Sequence, residues 1–438
     1  MMNYIVKSFS LILLSLGFAN LSFAQKFEQP FVSKDIDHFW AAYDRIVLTK
    51  DSTEQYRLLK DLYINKGTEG LKSLIEVRHY SEKEFMGWIL KYPKFWNSIR
   101  PNTYKVKDLY PKISANIRKL KKAYPELKPA TIYFAVGAFR TGGTTQGNKV
   151  LIGSELSLAD QNTVTDELPD WRKAFYQTQH PYQELPLLCT HEYVHTQQKE
   201  LVENLLTMCL YEGVAEFISC KVTATKSNTP AIEFGKANEK KVIDKFVSDL
   251  FIISNNYNWL WGENRNELKV RDLGYYIGYE ICERYYNLSK NKTKAIKELV
   301  ELDYTNEKEV QRIVDLTRLL PKTVQELNND YEKQRPAVVK LAPFENGSQT
   351  VKPGLTKITV QFSEPLVKNR AGLDFGPLGK DFCPQIKPER SFSEDGRSWT
   401  FEADLKPGQH YQIVVSSNFR TEHGIRLKPY LIDFKTTD

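Results

Sequence analysis

The sequence contains little cysteine, which accounts for 5 of its 438 residues. These cysteines are too few and too widely spaced for a disulfide scaffold. If the segment around Cys209 and Cys220 is helical, their side chains lie on one face about 16 Å apart, beyond the reach of a disulfide. For most of the five, which are Cys189, Cys209, Cys220, Cys282 and Cys383, we therefore expect small, buried apolar side chains.

Long apolar runs are also missing, except near the N-terminus. Lys7 precedes the apolar run Leu11–Phe18, and Ser22-Phe23-Ala24 has the small-x-small pattern of a cleavage site before Gln25. A retained membrane anchor would need about twenty apolar residues, whereas polar and small residues interrupt this run. Residues 1–24 are therefore predicted to be a cleaved signal peptide. The mature protein is expected to be soluble and exported, whether periplasmic, on the cell surface or secreted.

No strong concentration of charge of one sign is present. The formal net charge of +7 is spread along the chain, with one basic helical stretch at Lys105–Lys122. A solvated helix face explains this stretch without a nucleic-acid partner, and export favours the same interpretation.

The periodicity of apolar residues divides the chain into a mainly helical part and a β part. Helical spacing extends from Asp35 to about Glu126 and again from Pro186 to about Glu332. Between them, Thr131–Val136 and Lys149–Ile152 are predicted strands around a glycine-containing hairpin. This hairpin lacks the Gly-Lys-Ser or Gly-Lys-Thr helix start of a phosphate loop.

After Pro336 the apolar residues alternate with period two, and turn signals separate the short segments. Gln361–Pro365, the Asp395-Gly396 turn before Trp399, and Phe434–Thr437 resemble bacterial Ig-like modules. The resemblance implies a β-sandwich that acts as a spacer or binding unit, for example at the cell surface or on a polymer.

The predicted fold class is therefore α+β, with a mainly helical unit that contains a small sheet and an all-β unit after it. We predict an N-terminal helical region at 25–129 that belongs to the catalytic unit. The catalytic core is predicted at 130–335 and the β-sandwich at 336–438. The sequence does not indicate the oligomeric state.

The most informative motif is His191-Glu192-Tyr193-Val194-His195. Two histidines four residues apart on a helix project from one face, so both imidazoles can reach one metal ion. Glu192 lies beside them and can act on water as a general base. The pattern indicates a zinc-dependent hydrolase.

A zinc site of this kind needs a third protein ligand. Glu212 and Glu216 lie on one face of a predicted second helix. If this helix is antiparallel to the first, Glu212 reaches the metal and Glu216 accepts a hydrogen bond from a ligand histidine. The alternative in which Glu216 is the ligand remains open.

The motif pair resembles the gluzincins, in which a glutamate on a second helix completes the site. Glu212-Gly213-x-Ala215 is similar to the aminopeptidase version of that helix, in which the glutamate before glycine is the ligand. A closer resemblance is to predicted zinc-dependent proteases akin to gliding-motility lipoproteins. They combine the histidine motif with Glu-Gly-x-Ala-Glu and a Gly-Tyr-Tyr-x-Gly-Tyr segment, here Gly274–Tyr279. The resemblance covers about residues 130–320, and this chain lacks their lipidation cysteine.

The glycine-tyrosine segment suggests a further catalytic residue. Gly274 and Gly278 are one helical turn apart and allow another helix to approach closely. A tyrosine beside them can donate its hydroxyl to a developing oxyanion, and we assign this role to Tyr275. His180 is interpreted as a loop or capping residue and Arg140 as a solvated hairpin residue.

Together these features predict an exported zinc metallopeptidase, in which His191, His195 and Glu212 hold Zn²⁺ and a peptide or protein is the substrate. The gluzincin resemblance implies that Lys149–Ile152 is the sheet edge that binds an extended peptide. One alternative is a catalytically degenerate zincin that acts as an extracellular binding or scaffold protein. Another is a protein with structural histidines and an adhesion module.

Overall fold

The structure is a computed structural model that describes residues 29–261 and 267–438. The predicted signal peptide lies outside the described residues. Within them no helix has the length and apolar character needed to cross a bilayer. The fold is α+β, about half helical, with three small sheets.

The first part of the chain forms six helices and one short strand ahead of the small sheet. Their bounds are β1 (Phe31–Val32), α1 (Lys34–Ile46), α2 (Ser52–Leu59), α3 (Glu69–Arg78), α4 (Glu82–Lys91), α5 (Pro93–Tyr104) and α6 (Tyr110–Ala123). One π-helical turn at Lys60–Ile64 and one 3₁₀ turn at Lys105–Leu109 connect neighbouring helices.

The small sheet is completed by β2 (Thr131–Ala135), β3 (Gly143–Gln146) and β4 (Lys149–Gly153). Its strand order is β1-β2-β4-β3, with β3 antiparallel to β4 and the other pairs parallel.

The prediction that Lys149–Ile152 forms the sheet edge is wrong, because this strand pairs on both sides and the edges are β1 and β3. Val150, Leu151 and Ile152 are all buried, as in a strand covered on both faces. The partly exposed β3 carries Gly143-Thr144-Thr145-Gln146, which suits an edge.

Helices then continue to the end of the first hydrophobic core. They are α7 (Ser154–Ser157), α8 (Asp170–Thr178), α9 (Pro181–His195), α10 (Leu205–Thr223), α11 (Pro230–Ala237), α12 (Glu239–Asp249), α13 (Asn256–Trp259), α14 (Leu273–Leu288), α15 (Lys292–Val300), α16 (Glu307–Thr317) and α17 (Val324–Gln334). The core that these helices share with the sheet extends along the chain from Ile36 to Leu327.

The C-terminal part consists of two antiparallel sheets around a second hydrophobic core. Their orders are β5-β6-β9-β8 and β11-β10-β7. The strands are β5 (Val338–Ala342), β6 (Gly354–Phe362), β7 (Leu373–Phe375), β8 (Gln385–Phe392), β9 (Ser398–Leu405), β10 (His410–Val415) and β11 (Tyr430–Lys435). The second core extends from Leu341 to Phe434. The Ig-like character of this part stays a prediction.

All five cysteines are free thiols, as expected, and four of them are buried.

Candidate metal centre

Helix α9 places two histidines side by side in the interior. Pro181 occupies its first turn, where a missing backbone N–H breaks no helical hydrogen bond. His191 and His195 are one turn apart and project from the same face. Only 7% of His191 and 8% of His195 is exposed, because α9 packs against α6, α10 and strands β3 and β4.

Helix α10 supplies carboxylates to the same place. It begins with a capping box in which the Asn204 side chain accepts from the N–H of Thr207 and the Thr207 side chain accepts from the N–H of Asn204. Glu212 and Glu216 lie one turn apart and are 7% and 5% exposed. Two carboxylates buried in an otherwise apolar helix need partners, because an unpaired buried charge is costly.

Three side-chain atoms converge at the centre of the site. His191 Nε2 lies 3.1 Å from His195 Nε2, and each of these nitrogens lies 3.5 Å from Glu212 Oε2. The three residues form a buried group that can hold a metal ion. Tetrahedral zinc with N and O ligands at its usual bond lengths separates ligand atoms by about 3.4 Å, so the observed triangle fits zinc.

The other nitrogen of each histidine is held by a hydrogen bond. His191 Nδ1 donates to Glu216 Oε2 at 2.8 Å, and His195 Nδ1 donates to Gln198 Oε1 at 2.6 Å. The Gln198 amide nitrogen itself donates to Tyr211 O and the Tyr304 hydroxyl, which leaves its oxygen as the acceptor. Both Nδ1 atoms therefore carry hydrogens, and both Nε2 atoms point towards Glu212.

Glu216 has further partners on the side away from the ligand triangle. Ser227 Oγ donates to Glu216 Oε1 through a short hydrogen bond, and Cys220 Sγ lies 3.7 Å from the same oxygen. Because Glu216 contacts Nδ1 of His191 and Glu212 contacts Nε2, the two carboxylates occupy different sides of one imidazole.

The electrostatics of the site favour a bound cation. Burial alone would raise the pKa of Glu212 and of Glu216, but the neighbouring histidines hold both below their ordinary values. Burial would lower the pKa of His191, but its hydrogen bonds with Glu212 and Glu216 raise it well above the usual range. Negative charge is thus concentrated around the imidazoles, where a divalent ion would balance it.

Glu192 lies beside the triangle, against the edge strand. A Cβ atom added to Gly143 in β3 would lie 2.5 Å from Glu192 Oε1, so a larger residue would displace the Glu192 side chain. Burial raises the pKa of Glu192, and the two histidines offset this only in part. A carboxyl group with a raised pKa exchanges protons more readily near neutral pH.

Tyr275 of α14 also borders the histidines. Its ring stacks on His191 with centroids 6.3 Å apart, and its hydroxyl is hydrogen-bonded to the Glu212 side chain. Burial raises the pKa of Tyr275 well above the usual range, which keeps the hydroxyl protonated and able to donate.

Helix α14 reaches this position because its glycines allow a close helix contact. The backbone of Gly278 lies against Gly213 and against the carbonyl of Cys209 in α10, with no room for a Cβ at either glycine. The glycine before Tyr275, Gly274, packs against Leu260 and Cys209. The close contact of α10 and α14 therefore sets the distance between Glu212 and Tyr275.

The triangle opens into a cleft of about 1040 Å³. Exposed aromatic side chains, Trp171 and Trp261, line the cleft together with the edge strand β3. Such a cleft has room for several residues of a peptide.

The remaining candidates lie apart from the ligands. His180 is exposed at the N-terminus of α9, where its backbone N–H donates to Glu184. Arg140 lies at the cleft, 46% exposed, and pairs with Glu84 at 3.6 Å. Sequence reasoning missed Gln198, which follows His195 by three residues, and Tyr211, whose ring stacks on His195 at 4.5 Å. A polar residue three positions after the last histidine was the available signal for Gln198.

Comparison with known proteins gives one family. Residues 158–306 match the family model described as Predicted Zn-dependent protease (DUF2268). The match supports a zinc protease family. The matched range includes both histidines, Glu192, both carboxylates of α10 and Tyr275, but it covers less than half of the chain.

Other comparisons add little. No curated protein matches the chain. The S-layer protein rSbsC(31-844) is 11% identical over 92% of this chain and 45% of that chain, with a TM-score of 0.18. Surface layer protein SbsC, domains 1-6, is 12% identical over 75% of this chain and 46% of that chain, with a TM-score of 0.18. This chain thus spans less than half the length of either structure, and TM-scores of 0.18 indicate neither a shared fold nor a shared function.

The hydrogen bond between Glu216 and His191 leads to a testable expectation. We expect Glu216→Ala to weaken zinc affinity by about 10- to 100-fold, because the imidazole loses the acceptor that orients it. Glu216→Gln keeps an acceptor oxygen and should lose less. Competition with a chromophoric chelator measures the zinc Kd.

Cys220→Ala is the matched control for this pair of variants. It removes a buried side chain that contacts Glu216 Oε1 but not His191, so its zinc Kd should stay within about twofold of the wild-type value. Equal zinc affinity in Glu216→Ala and wild type would show that Glu216 does not orient the ligand.

Proposed function

We propose that this protein is an exported zinc-dependent peptidase with a zincin-like catalytic unit. The observation that carries the proposal is the buried triangle of His191, His195 and Glu212, with Glu192 beside it at the edge strand. The family described as predicted Zn-dependent protease supports the same assignment. In this proposal the C-terminal part is an Ig-like sandwich that acts as a spacer or contacts the cell surface or a polymer.

The ligand residues would hold zinc in a fixed orientation. Zinc bound there supplies Lewis acidity, which polarises a carbonyl group and makes water a stronger acid. Glu216 and Gln198 keep the two imidazoles turned with Nε2 towards Glu212. Because these partners are in place without rearrangement, little reorganisation is needed when the ion binds.

The other residues would handle protons and position the peptide. Glu192 accepts a proton from water and later transfers it to the leaving amine. Tyr275 donates a hydrogen bond to the oxygen on which negative charge develops. The edge strand β3 offers unpaired backbone groups along the cleft, and an extended peptide pairs with it as an added strand. Gly143 brings that strand, and so the peptide, next to Glu192.

Metal analysis of the purified protein tests the proposal. We expect about one zinc ion per chain, and a loss of affinity of at least about 100-fold in Glu212→Gln, which replaces a charged ligand by a neutral one. Glu184→Gln is the matched control, because Glu184 also lines the cleft but lies outside the ligand group.

Hydrolysis of a random peptide library completes the test. We expect cleavage that a chelator abolishes and added zinc restores. A protein that binds no zinc contradicts the metal site. A protein that binds zinc but cleaves no peptide is instead the catalytically degenerate scaffold protein.

A further inference from the structure

The wall of the cleft next to the edge strand carries two arginines whose hydrogen-bonding capacity is only partly used among the described residues. Arg78 at the end of α3 and Arg172 in α8 both line the cleft that contains Glu192. Among the ion pairs of the described residues none involves either arginine. Both Nε atoms are buried and have no hydrogen-bond partner.

The burial of Arg172, whose guanidinium lies over the Trp171 ring, makes the missing ion pair significant. Arg172 is only 9% exposed. A guanidinium group removed from water without a counter-charge destabilises the fold unless a ligand supplies the missing interactions. Orphaned donors on two residues of one cleft therefore point to an anionic group that binds there.

Both arginines are anchored to the segment that leads into the edge strand. Arg172 Nη2 donates to Phe139 O, and Arg78 Nη2 donates to Thr141 Oγ1 at 3.0 Å. Thr141 Oγ1 in turn donates to Gly143 O through a short hydrogen bond. Arg78 is therefore held two residues before Gly143, where Glu192 meets β3, and Arg172 is held four residues before it.

A structural role explains part of this arrangement. Arg172 experiences an attraction from Glu155, but the Glu155 oxygens accept the backbone N–H groups of Gly137 and Phe139 at 2.8 and 2.9 Å. Arg140 contributes less to the cleft, because it pairs with Glu84 and its guanidinium lies over the Tyr80 ring. Arg78 has neither kind of partner and is the better residue to test.

We propose that Arg78 and Arg172 bind a carboxylate of the peptide substrate, close to the bond that is hydrolysed. This inference rests on the proposed peptidase function and specifies its substrate class. A peptide paired with β3 passes Glu192 at Gly143 and then reaches Thr141, the residue bonded to Arg78, about two residues or 7 Å of extended chain further on. Paired N–H groups of arginine recognise a carboxylate in a fixed plane.

The carboxylate can come from an acidic side chain or from the C-terminus of the peptide. Three peptide pools distinguish these sources. The first is amidated at the C-terminus and has glutamate at one fixed position, the second has glutamine at that position, and the third is the glutamine pool with a free C-terminal carboxylate. A selective response to the first indicates an acidic residue, and to the third a carboxypeptidase.

In the wild type we expect kcat/KM for one of the two carboxylate pools to exceed that for the neutral pool by at least about tenfold. In Arg78→Gln this ratio should fall to about one, because hydrolysis of the carboxylate pool is slowed much more than hydrolysis of the neutral pool. Arg140→Gln is the matched control and should keep the ratio. Equal slowing of all three pools by Arg78→Gln would mean a structural role and would overturn the proposal.

A binding measurement keeps this test separate from the peptidase proposal. Zinc-loaded Glu192→Gln protein is titrated with each pool, and calorimetry reports the Kd. Tighter binding of a carboxylate pool, lost in the Arg78→Gln Glu192→Gln double variant, supports the inference even if the wild type hydrolyses nothing. Equal affinity for the three pools, or no binding of any, overturns it while leaving the zinc site untouched.

Discussion

Glu192→Gln protein is expected to bind zinc like the wild type and to hydrolyse peptides about 100- to 10,000-fold more slowly. Glutamine has nearly the same shape as glutamate, so the close contact with Gly143 is kept. It cannot accept a proton from water at neutral pH. Glu192 is not part of the ligand triangle, so the metal should remain.

Two measurements on the same preparation decide this prediction. Metal analysis gives the zinc content, and single-turnover hydrolysis of a peptide cleaved by the wild type gives the chemical rate. Glu184→Gln serves as the control, because it makes the same change on the same helix without touching the triangle. Zinc-loaded Glu192→Gln protein with wild-type activity would exclude Glu192 as the base.

The spacing of residues within single helices allowed much of the candidate site to be predicted. His191 and His195 had to share a face once their segment was helical, as did Glu212 and Glu216. The structure brings these residues together with Glu192 and Tyr275, which the sequence assigned to the same site. Periodicity was sufficient for these residues because each pair lies within one turn of one helix.

The order of the strands in the small sheet could not be predicted from residue spacing. The apolar run Val150-Leu151-Ile152 predicts a strand, here β4, but does not show which strands pair with it. Its position between β2 and β3 depends on tertiary pairing. The resemblance to gluzincins implied an edge strand that binds the peptide, and this role was assigned to Lys149–Ile152. The partly polar β3 gave a weak signal because edge strands carry few buried side chains.

Residues that reach the site from distant segments of the chain could not be predicted from the sequence either. Arg78 comes from α3, more than a hundred residues before His191, and no local pattern connects the two. Such contacts are fixed by the packing of whole elements, which local spacing does not determine.

The contact between α10 and α14 gives the second large expected effect. We expect Gly278→Ala to lower the free energy of unfolding by at least about 3 kcal/mol. The added Cβ would overlap the carbonyl of Cys209 and the backbone of Gly213, and backbone atoms cannot turn away as a flexible side chain can. Gly213→Ala should have a similar effect, because its added Cβ would overlap the backbone of Gly278 in α14.

The metal site should be affected together with stability. Gly213 follows Glu212 directly, and Gly278 lies one turn from Tyr275. If the two helices move apart to accept the methyl group, Glu212 moves relative to both histidines. We therefore expect a weaker zinc Kd in any Gly278→Ala protein that still folds, measured by chelator competition beside urea unfolding.

Gly87→Ala provides the matched control for the same substitution in a helix. Gly87 lies in α4 with nothing within 4 Å of an added Cβ, so alanine should stabilise the protein by up to about 1 kcal/mol through its higher helix propensity. Opposite signs in the two variants would assign the cost at Gly278 to the helix contact. Gly278→Ala protein as stable as Gly87→Ala protein, with wild-type zinc affinity, would show that the close approach of α10 and α14 does not hold Glu212 in place.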